Sequence, residues 1–274
     1  MEENFTIGII GGAGKMGNFF KAFFEKKGYK VLISDLNEGL SKVELLKQSK
    51  VILLSVPMET FPQVVEEIGN YVKPHHWILD ICSLKVEPVR VMKKFLKRGE
   101  ILATHPLFGP YEKSLRNKII VLYRVRGKNC YSWFKETFLP EGVKLVEVSP
   151  QKHDQIIALS QVLNHFWLII LAKIIKDLSY PLEDIINLSP PSFERQLHIL
   201  KRFAYQDEKL YAKIQLDNPL GKKMRRIFYQ NCKLLTQTFN QNNYKEAEEA
   251  FLKYFKMAKE LAKRLEELLG PENF

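Results

Sequence analysis

A short apolar run at residues 7–10 leads into Gly12-Ala13-Gly14-Lys15-Met16-Gly17, and an amphipathic stretch begins at Met16. No other feature restricts the fold as strongly. Glycines at this spacing between a strand and a helix meet three needs: a tight turn at Gly12, approach of an anion to the backbone at Gly14, and close helix–sheet packing at Gly17. The helix N-terminus adds free N–H groups and a positive dipole end, which suits phosphate. Asp35 closes the next strand eighteen residues after Gly17. A carboxylate there accepts hydrogen bonds from both hydroxyls of an adenosine ribose and repels a 2′-phosphate. The bare alternative is an ordinary turn and a solvated strand end. The strand before, the helix after and the acid at the second strand end favour a dinucleotide site formed by Gly12, Gly14, Lys15, Met16, Gly17 and Asp35. NAD is then expected over NADP, with nearby Lys42 the one cation that argues for a 2′-phosphate.

Up to about residue 150, β-branched runs at 6–10, 30–34, 51–56, 77–81, 101–104, 119–123 and 143–148 alternate with helical stretches such as 18–27 and 60–71. This alternation predicts an α/β domain at residues 1–150, a doubly wound Rossmann-type parallel sheet covered on both faces. Ser55-Val56-Pro57 ends one strand at the edge where such sheets place ligands, and Pro57 also suits a helix start. After Pro150 helices take over, which predicts an all-α domain at residues 151–274 for substrate binding and dimerisation. The segment 153–178 is apolar on most of its circumference and is expected to be buried on nearly all sides. Ser189-Pro190-Pro191-Ser192 breaks the helix that follows. The last helix, 244–269, aligns Phe251, Phe255, Ala258, Leu261, Leu265 and Leu268 in one stripe, and Gly270-Pro271 stops it. An all-round apolar helix in so small a domain predicts a homodimer.

Composition excludes several classes. The net charge is +11, but the cations sit on helix faces (Lys93, Lys94, Lys97, Arg98; Lys222, Lys223, Arg225, Arg226) without aromatic interleaving. Solvated faces that attract small anions are expected, not a nucleic-acid surface. Cys82, Cys130 and Cys232 are widely spaced and odd in number, which fits a reducing cytosol and neither a disulfide framework nor a metal site. Glu2 and Glu3 run into the first strand, so no signal peptide is expected. The most apolar stretch, 166–172, has seven residues against the roughly 20 of a membrane span. A soluble cytoplasmic protein is therefore expected.

Two further strand ends carry chemistry. Asp80-Ile81-Cys82-Ser83-Leu84-Lys85 follows one, and Thr104-His105-Pro106-Leu107-Phe108-Gly109-Pro110 follows the next. In a doubly wound sheet both project towards the nicotinamide end of the cofactor. A histidine there can take a proton while hydride leaves the same carbon. Ser83 can hold that histidine and a substrate hydroxyl in line, and Lys85 places a cation near a substrate anion.

These residues resemble the prephenate/arogenate dehydrogenases of tyrosine biosynthesis over nearly the whole chain. The likeness runs through Gly11–Gly17, Ser55-Val56-Pro57, Asp80 with Ser83 and Lys85, and His105-Pro106-Leu107-Phe108-Gly109-Pro110. It continues through His153-Asp154-Gln155, Arg202, Gln206-Asp207 and Leu210-Tyr211-Ala212. With the helical half, the set looks like the dehydrogenase portion of bifunctional chorismate mutase–prephenate dehydrogenases, with neither mutase portion nor regulatory domain expected. The resemblance implies that His105 is the catalytic histidine on the ring hydroxyl, oriented by Ser83 with Lys85 in support. It implies that Arg202 binds a substrate carboxylate beside Gln206 and Tyr211, with His165 as a second pocket histidine and Arg195 as another candidate cation. His153 is read as a structural helix-start residue. The implied reaction is NAD-dependent oxidative decarboxylation of prephenate to 4-hydroxyphenylpyruvate. Alternatives are arogenate as substrate, a hydroxyacid-dehydrogenase or imine-reductase type of oxidoreductase, and a nucleotide sensor without turnover.

Overall fold

The computed structural model describes residues 5–240 and 243–270. Glu2, Glu3 and the helix-stopping Pro271 lie outside the described residues. Strands β1 (Ile7–Ile10), β2 (Val31–Ser34), β3 (Val51–Leu54), β4 (Trp77–Asp80), β5 (Glu100–Pro106), β6 (Ile119–Arg126) and β7 (Lys144–Glu147) form one sheet in the order β2-β1-β3-β4-β5-β6-β7. Every residue of β1, β3 and β4 is buried, as continuous Ile/Val/Leu runs require when helices cover both faces. On one face Leu54, Ile78 and Ile101 pack with Val65 and Met92; on the other Phe20, Phe24, Trp133 and Phe138 form an aromatic layer. The α/β class expected from the alternation is what the chain adopts.

The sheet is not parallel throughout. Strands β1 to β5 are parallel, β6 runs antiparallel to β5, and β7 is parallel to β6. Residues 107–118 join β5 to β6 without a helix. A parallel return needs a crossover, usually helical, whereas a reversal needs only a loop.

The chain leaves β1 for β2 on one side and places β3 on the other. The crevice at a topological switch point of this kind opens beyond the C-terminal ends of β1 and β3. Helix α1 (Lys15–Lys26) follows β1. Helices α2 (Lys42–Gln48), α3 (Phe61–Gly69), α4 (Val86–Phe95) and α5 (Asn129–Phe138) connect later strands. Ser41 and Glu44 close a reciprocal capping box at the start of α2.

The chain divides into two compact units, one ending at Gly221 and one beginning at Lys222. In the first, α6 (Pro150–Ile157) passes through a π-helical turn (Ala158–Leu163) into α7 (Asn164–Leu178). Then come α8 (Leu182–Asn187), α9 (Pro191–Lys201), a 3-10 turn (Arg202–Tyr205) and α10 (Glu208–Asp217). The long helix starts at Pro150 because the Ser149 side chain accepts a hydrogen bond from Lys152 N and proline suits a first helical position.

The burial expected of this helix is corrected. Only Leu168 and Leu171 of α7 are buried, while Trp167, Ile169, Ile174 and Leu178 are exposed. A helix apolar all round needs more covering surface than one chain supplies. The seven-residue stretch is also part of a continuous helical run, Pro150–Leu178, of 29 residues, long and apolar enough by length and composition to cross a membrane.

In the second unit, α11 (Gly221–Phe239) and α12 (Tyr244–Leu269) carry Phe239, Phe251 and Phe255, with Phe251 stacked on Phe255 at 5.7 Å. The stripe residues Phe251, Phe255, Leu261, Leu265 and Leu268 are all exposed.

Candidate active site

The glycine loop is tightly defined. Gly11 has φ +82° and so takes the left-handed turn. This corrects the expectation that placed the turn at Gly12, where a Cβ would press on Ile33 instead. A Cβ at Gly17 would collide with the Gly11 carbonyl oxygen, so α1 packs against the loop only with glycine there. Gly14, the N-cap of α1, differs: a Cβ would meet only the Gly11 oxygen, at 3.4 Å, and no side chain caps the helix. The loop therefore presents an open backbone face and uncapped N–H groups where a phosphate would lie. Lys15 is exposed with its ammonium 5.9 Å from the Tyr111 ring centre, and Met16 packs against the aromatic layer.

Asp35 holds this loop. Its Oδ2 accepts from Ala13 N at 2.9 Å and its Oδ1 from Leu36 N at 2.8 Å. A carboxylate offers about four acceptor positions, so two remain for ribose hydroxyls. Ser55 N donates to the Ile10 carbonyl at 2.8 Å, Val56 packs on the core, and Pro57 is exposed. These three residues thus line the β3 side of the crevice.

A buried polar network joins the ends of β4 and β5. Asp80 and Lys85, 0% and 1% exposed, form an ion pair, and Lys85 Nζ also donates to the Thr104 carbonyl at 2.6 Å. Asp80 further accepts from Cys82 N at 2.9 Å and Thr104 N at 3.3 Å, while Thr104 Oγ1 donates to the Asp80 carbonyl at 2.6 Å. The Lys85 ammonium is thus spent inside the protein, which overturns its expected place beside a substrate anion. Its role is to bind the two strand ends together.

His105, on β5, is buried, and its Nδ1 lies 2.9 Å from His153 Nε2. His153 Nδ1 lies 2.6 Å from Asp154 Oδ1. Asp154 in turn accepts from Lys85 N at 2.8 Å and Val86 N at 2.9 Å, satisfying the first turn of α4. The expectation that Ser83 orients His105 gives way here. Ser83 is half-buried and makes no hydrogen bond to His105 among the described residues, whereas His153 occupies Nδ1 directly. His105 Nε2 has no hydrogen-bond partner among the described residues. Burial, the like charge of His153 and nearby Lys85 hold the His105 pKa well below the ordinary histidine value. His153, read from sequence as a structural residue, therefore links His105 to Asp154. The His-Asp pair at a helix start was the available signal.

A second cluster lies further along the same helix. The His165 ring stacks on Tyr211 at 4.1 Å, and Phe203 packs edge-on against Tyr211 at 5.4 Å. Burial lowers the His165 pKa to about 4 and raises that of Tyr211, which nearby Arg202 opposes. Arg202 itself is exposed and Gln206 half-buried. His165 Nδ1 and, one turn earlier, Gln161 Oε1 are buried without hydrogen-bond partners. Gln161 sits in the π turn, a distortion that often marks functional sites. His153 and His165 are twelve residues apart, which at 1.5 Å per helical residue is about 18 Å.

A nucleotide-type crevice, a buried histidine at a strand end and a helical second half together define a Rossmann-like domain followed by a helical region. Two family models match the chain: the nucleotide-binding domain of prephenate dehydrogenase over residues 23–146 and its dimerization domain over residues 149–266. The chain belongs to the prephenate dehydrogenase family.

Among similar proteins, a probable arogenate/prephenate dehydrogenase of Methanocaldococcus jannaschii is 28% identical over 93% of this chain and 60% of its own length. The T-protein of Enterobacter agglomerans is 30% identical over 81% of this chain and 59% of its own. The chain thus spans about 60% of the length of these relatives. A solved prephenate dehydrogenase from Aquifex aeolicus, in complex with hydroxyphenyl propionate and NAD+, shares the fold with a TM-score of 0.72 at 22% identity, covering 95% of this chain and 97% of the other. Synechocystis arogenate dehydrogenase gives 0.66 at 16% identity, over 93% and 99%.

Proposed function

We propose that this protein is a cytosolic, homodimeric, NAD-dependent dehydrogenase that converts prephenate to 4-hydroxyphenylpyruvate. One observation carries the reading: a buried histidine at the C-terminal end of β5 with Nδ1 held and Nε2 unpartnered. Residues 1–150 serve the dinucleotide and 151–274 the substrate and the dimer. NAD, when bound, supplies the hydride acceptor. Gly12, Gly14, Lys15, Met16, Gly17 and the β3 end at Ser55-Val56-Pro57 fit its pyrophosphate side, and Asp35 fits the ribose.

His105 Nε2 takes the proton of the ring hydroxyl as hydride leaves the same carbon. The bond from the opposite ring carbon to its carboxylate then breaks, carbon dioxide departs, the electron pair aromatises the ring, and the ring oxygen takes its proton back from His105. No separate base is needed for that loss. The cluster of His165, Arg202, Gln206 and Tyr211 is assigned to the substrate's carboxylate end, where an arginine can make a bidentate contact. Ser83, at the same strand end as the network, is assigned to the hydroxyl. The run Pro150–Leu178 is read as an interface helix: it carries His153, Asp154, Gln161 and His165, and a family dimerization domain covers it.

The test is formation of reduced nicotinamide, followed by absorbance, with prephenate, arogenate and simple hydroxyacids in turn and with NAD or NADP. Turnover best with prephenate and NAD supports the reading. A preference for arogenate replaces the substrate, one for NADP removes the role of Asp35, and NAD binding without turnover indicates a sensor.

Gly14→Ala separates binding from folding. Its Cβ has room in the protein but not beside a phosphate. The variant should keep the wild-type melting temperature while the Kd for NAD, measured by titration calorimetry, rises about tenfold, one RT ln 10 step. Unchanged affinity would remove the pyrophosphate from this loop.

A further inference from the structure

We propose that Asp154 and His153 are positioning residues behind His105, fixing its tautomer and taking over the proton it removes from the substrate. The proposal rests on His105 being the base.

The tautomers follow in order from the buried end. Asp154 accepts two backbone N–H groups from the start of α4, at 2.8 Å and 2.9 Å. Both of its carboxyl oxygens are thus already acceptors. The atom 2.6 Å from Asp154 Oδ1, His153 Nδ1, must therefore donate. Neutral His153 then has a bare Nε2, and that atom faces His105 Nδ1 at 2.9 Å, so His105 Nδ1 must donate in turn. The lone pair of His105 is left on Nε2. Reversing any one link sets two donors or two acceptors against each other.

The same chain disposes of charge. When Nε2 takes the substrate proton, His105 becomes a buried cation near the Lys85 ammonium, an unfavourable place for positive charge. Passing the Nδ1 proton across 2.9 Å to His153 Nε2 breaks one N–H bond and forms another. His105 becomes neutral again, and the imidazolium now lies against the Asp154 carboxylate. The proton returns outward by the reverse transfer when decarboxylation places the electron pair on the ring oxygen, so the product leaves as the phenol. The charged groups acting on the pair are Lys85, the N-cap of α4, on His105 and Asp154 of α6 on His153, and Lys85 is itself paired with Asp80 at the end of β4. Since the Asp80–Lys85 ion pair is closed on itself, Asp154 is left as the counter-ion.

Asp154 is also fixed from a third element, because Asn218 Nδ2, just after α10, donates to its carbonyl at 3.0 Å. The base is thus set by residues 48 and more positions away in sequence.

Two measurements test this. The first uses nitrogen chemical shifts of 15N-histidine-labelled protein at neutral pH without substrate, with His105→Asn giving the assignment. His105 should carry its proton on Nδ1, and this preference should be lost in Asp154→Asn; an Nε2-protonated His105 in the wild type overturns the proposal. The second is kinetic. His153→Gln keeps an acceptor facing His105 Nδ1 but cannot take the proton.

For His153→Gln, kcat should fall roughly 10²-fold, the lower end of the general-base range, with KM for prephenate within twofold. His153 is one of the groups that depress His105, so removing it should move the acidic limb of kcat to higher pH. Unchanged kcat, or a loss that follows melting temperature with the limb in place, overturns the relay. Absence of prephenate turnover in the wild type would sink the proposed function instead, and the tautomer measurement would still decide the positioning claim.

Discussion

Replacing His105 with Asn lowers kcat for prephenate oxidation by a factor on the order of 10² to 10⁴, the loss expected for a general base. Affinity for prephenate and NAD should hold, because the proposed carboxylate contacts and the glycine loop lie elsewhere. Asn keeps a polar group near His153 Nε2, so the buried network retains a partner and the melting temperature should change little. Steady-state kinetics beside calorimetric binding read both halves of this expectation. Near-normal turnover would remove His105 from the chemistry.

The same environment gives a pH signature. The His105 pKa is held well below the ordinary 6.5 by burial, then His153, then Lys85. The base is therefore still neutral as pH falls through 6.5, and wild-type kcat should stay on its plateau there. His76 and His165 are likewise pushed down to about 4, mainly by burial. Below pH 6.5 the unfolded chain binds protons that the native fold does not. Stability should thus fall as pH drops from about 6.5 towards 4, and be fully present above that window.

Lys85→Ala has the largest expected effect on stability. It strands the Asp80 carboxylate at 0% exposure and takes a donor from the Thr104 carbonyl. Breaking one side of a buried ion pair costs about 3–5 kcal/mol. At roughly 2–4 °C per kcal/mol for a protein this size, the melting temperature should drop by about 10 °C. The double variant Asp80→Asn/Lys85→Met removes both charges and should recover part of that loss. If Lys85→Ala instead leaves stability intact and raises only the KM for prephenate, Lys85 is a free substrate cation after all.

The legible features were local ones. Buried strands at 6–10, 51–56 and 77–81 declare themselves because residues covered on both faces must be apolar throughout. The glycine loop shows itself through the strand before it and the helix after it. Strand direction is invisible in such a pattern, so the reversal of β6 could be seen only in the missing helix between 107 and 118.

The strand-end position of His105 was legible, but its contact with His153 was not. The contact with His153 closes a gap of 48 residues that no spacing rule spans. Lys85 was misassigned because its charge was weighed without Asp80, five residues earlier, which becomes its counter-ion when the strand end turns. The apolar face of α7 was read correctly as apolar, yet its burial depends on surface that one chain does not provide.

The central claim is a coupled oxidation and decarboxylation, and product stoichiometry reads it directly. With prephenate and NAD, the protein should yield reduced nicotinamide, carbon dioxide and 4-hydroxyphenylpyruvate in equal amounts. Reduced nicotinamide without carbon dioxide, or no reduction while NAD is bound, would contradict it.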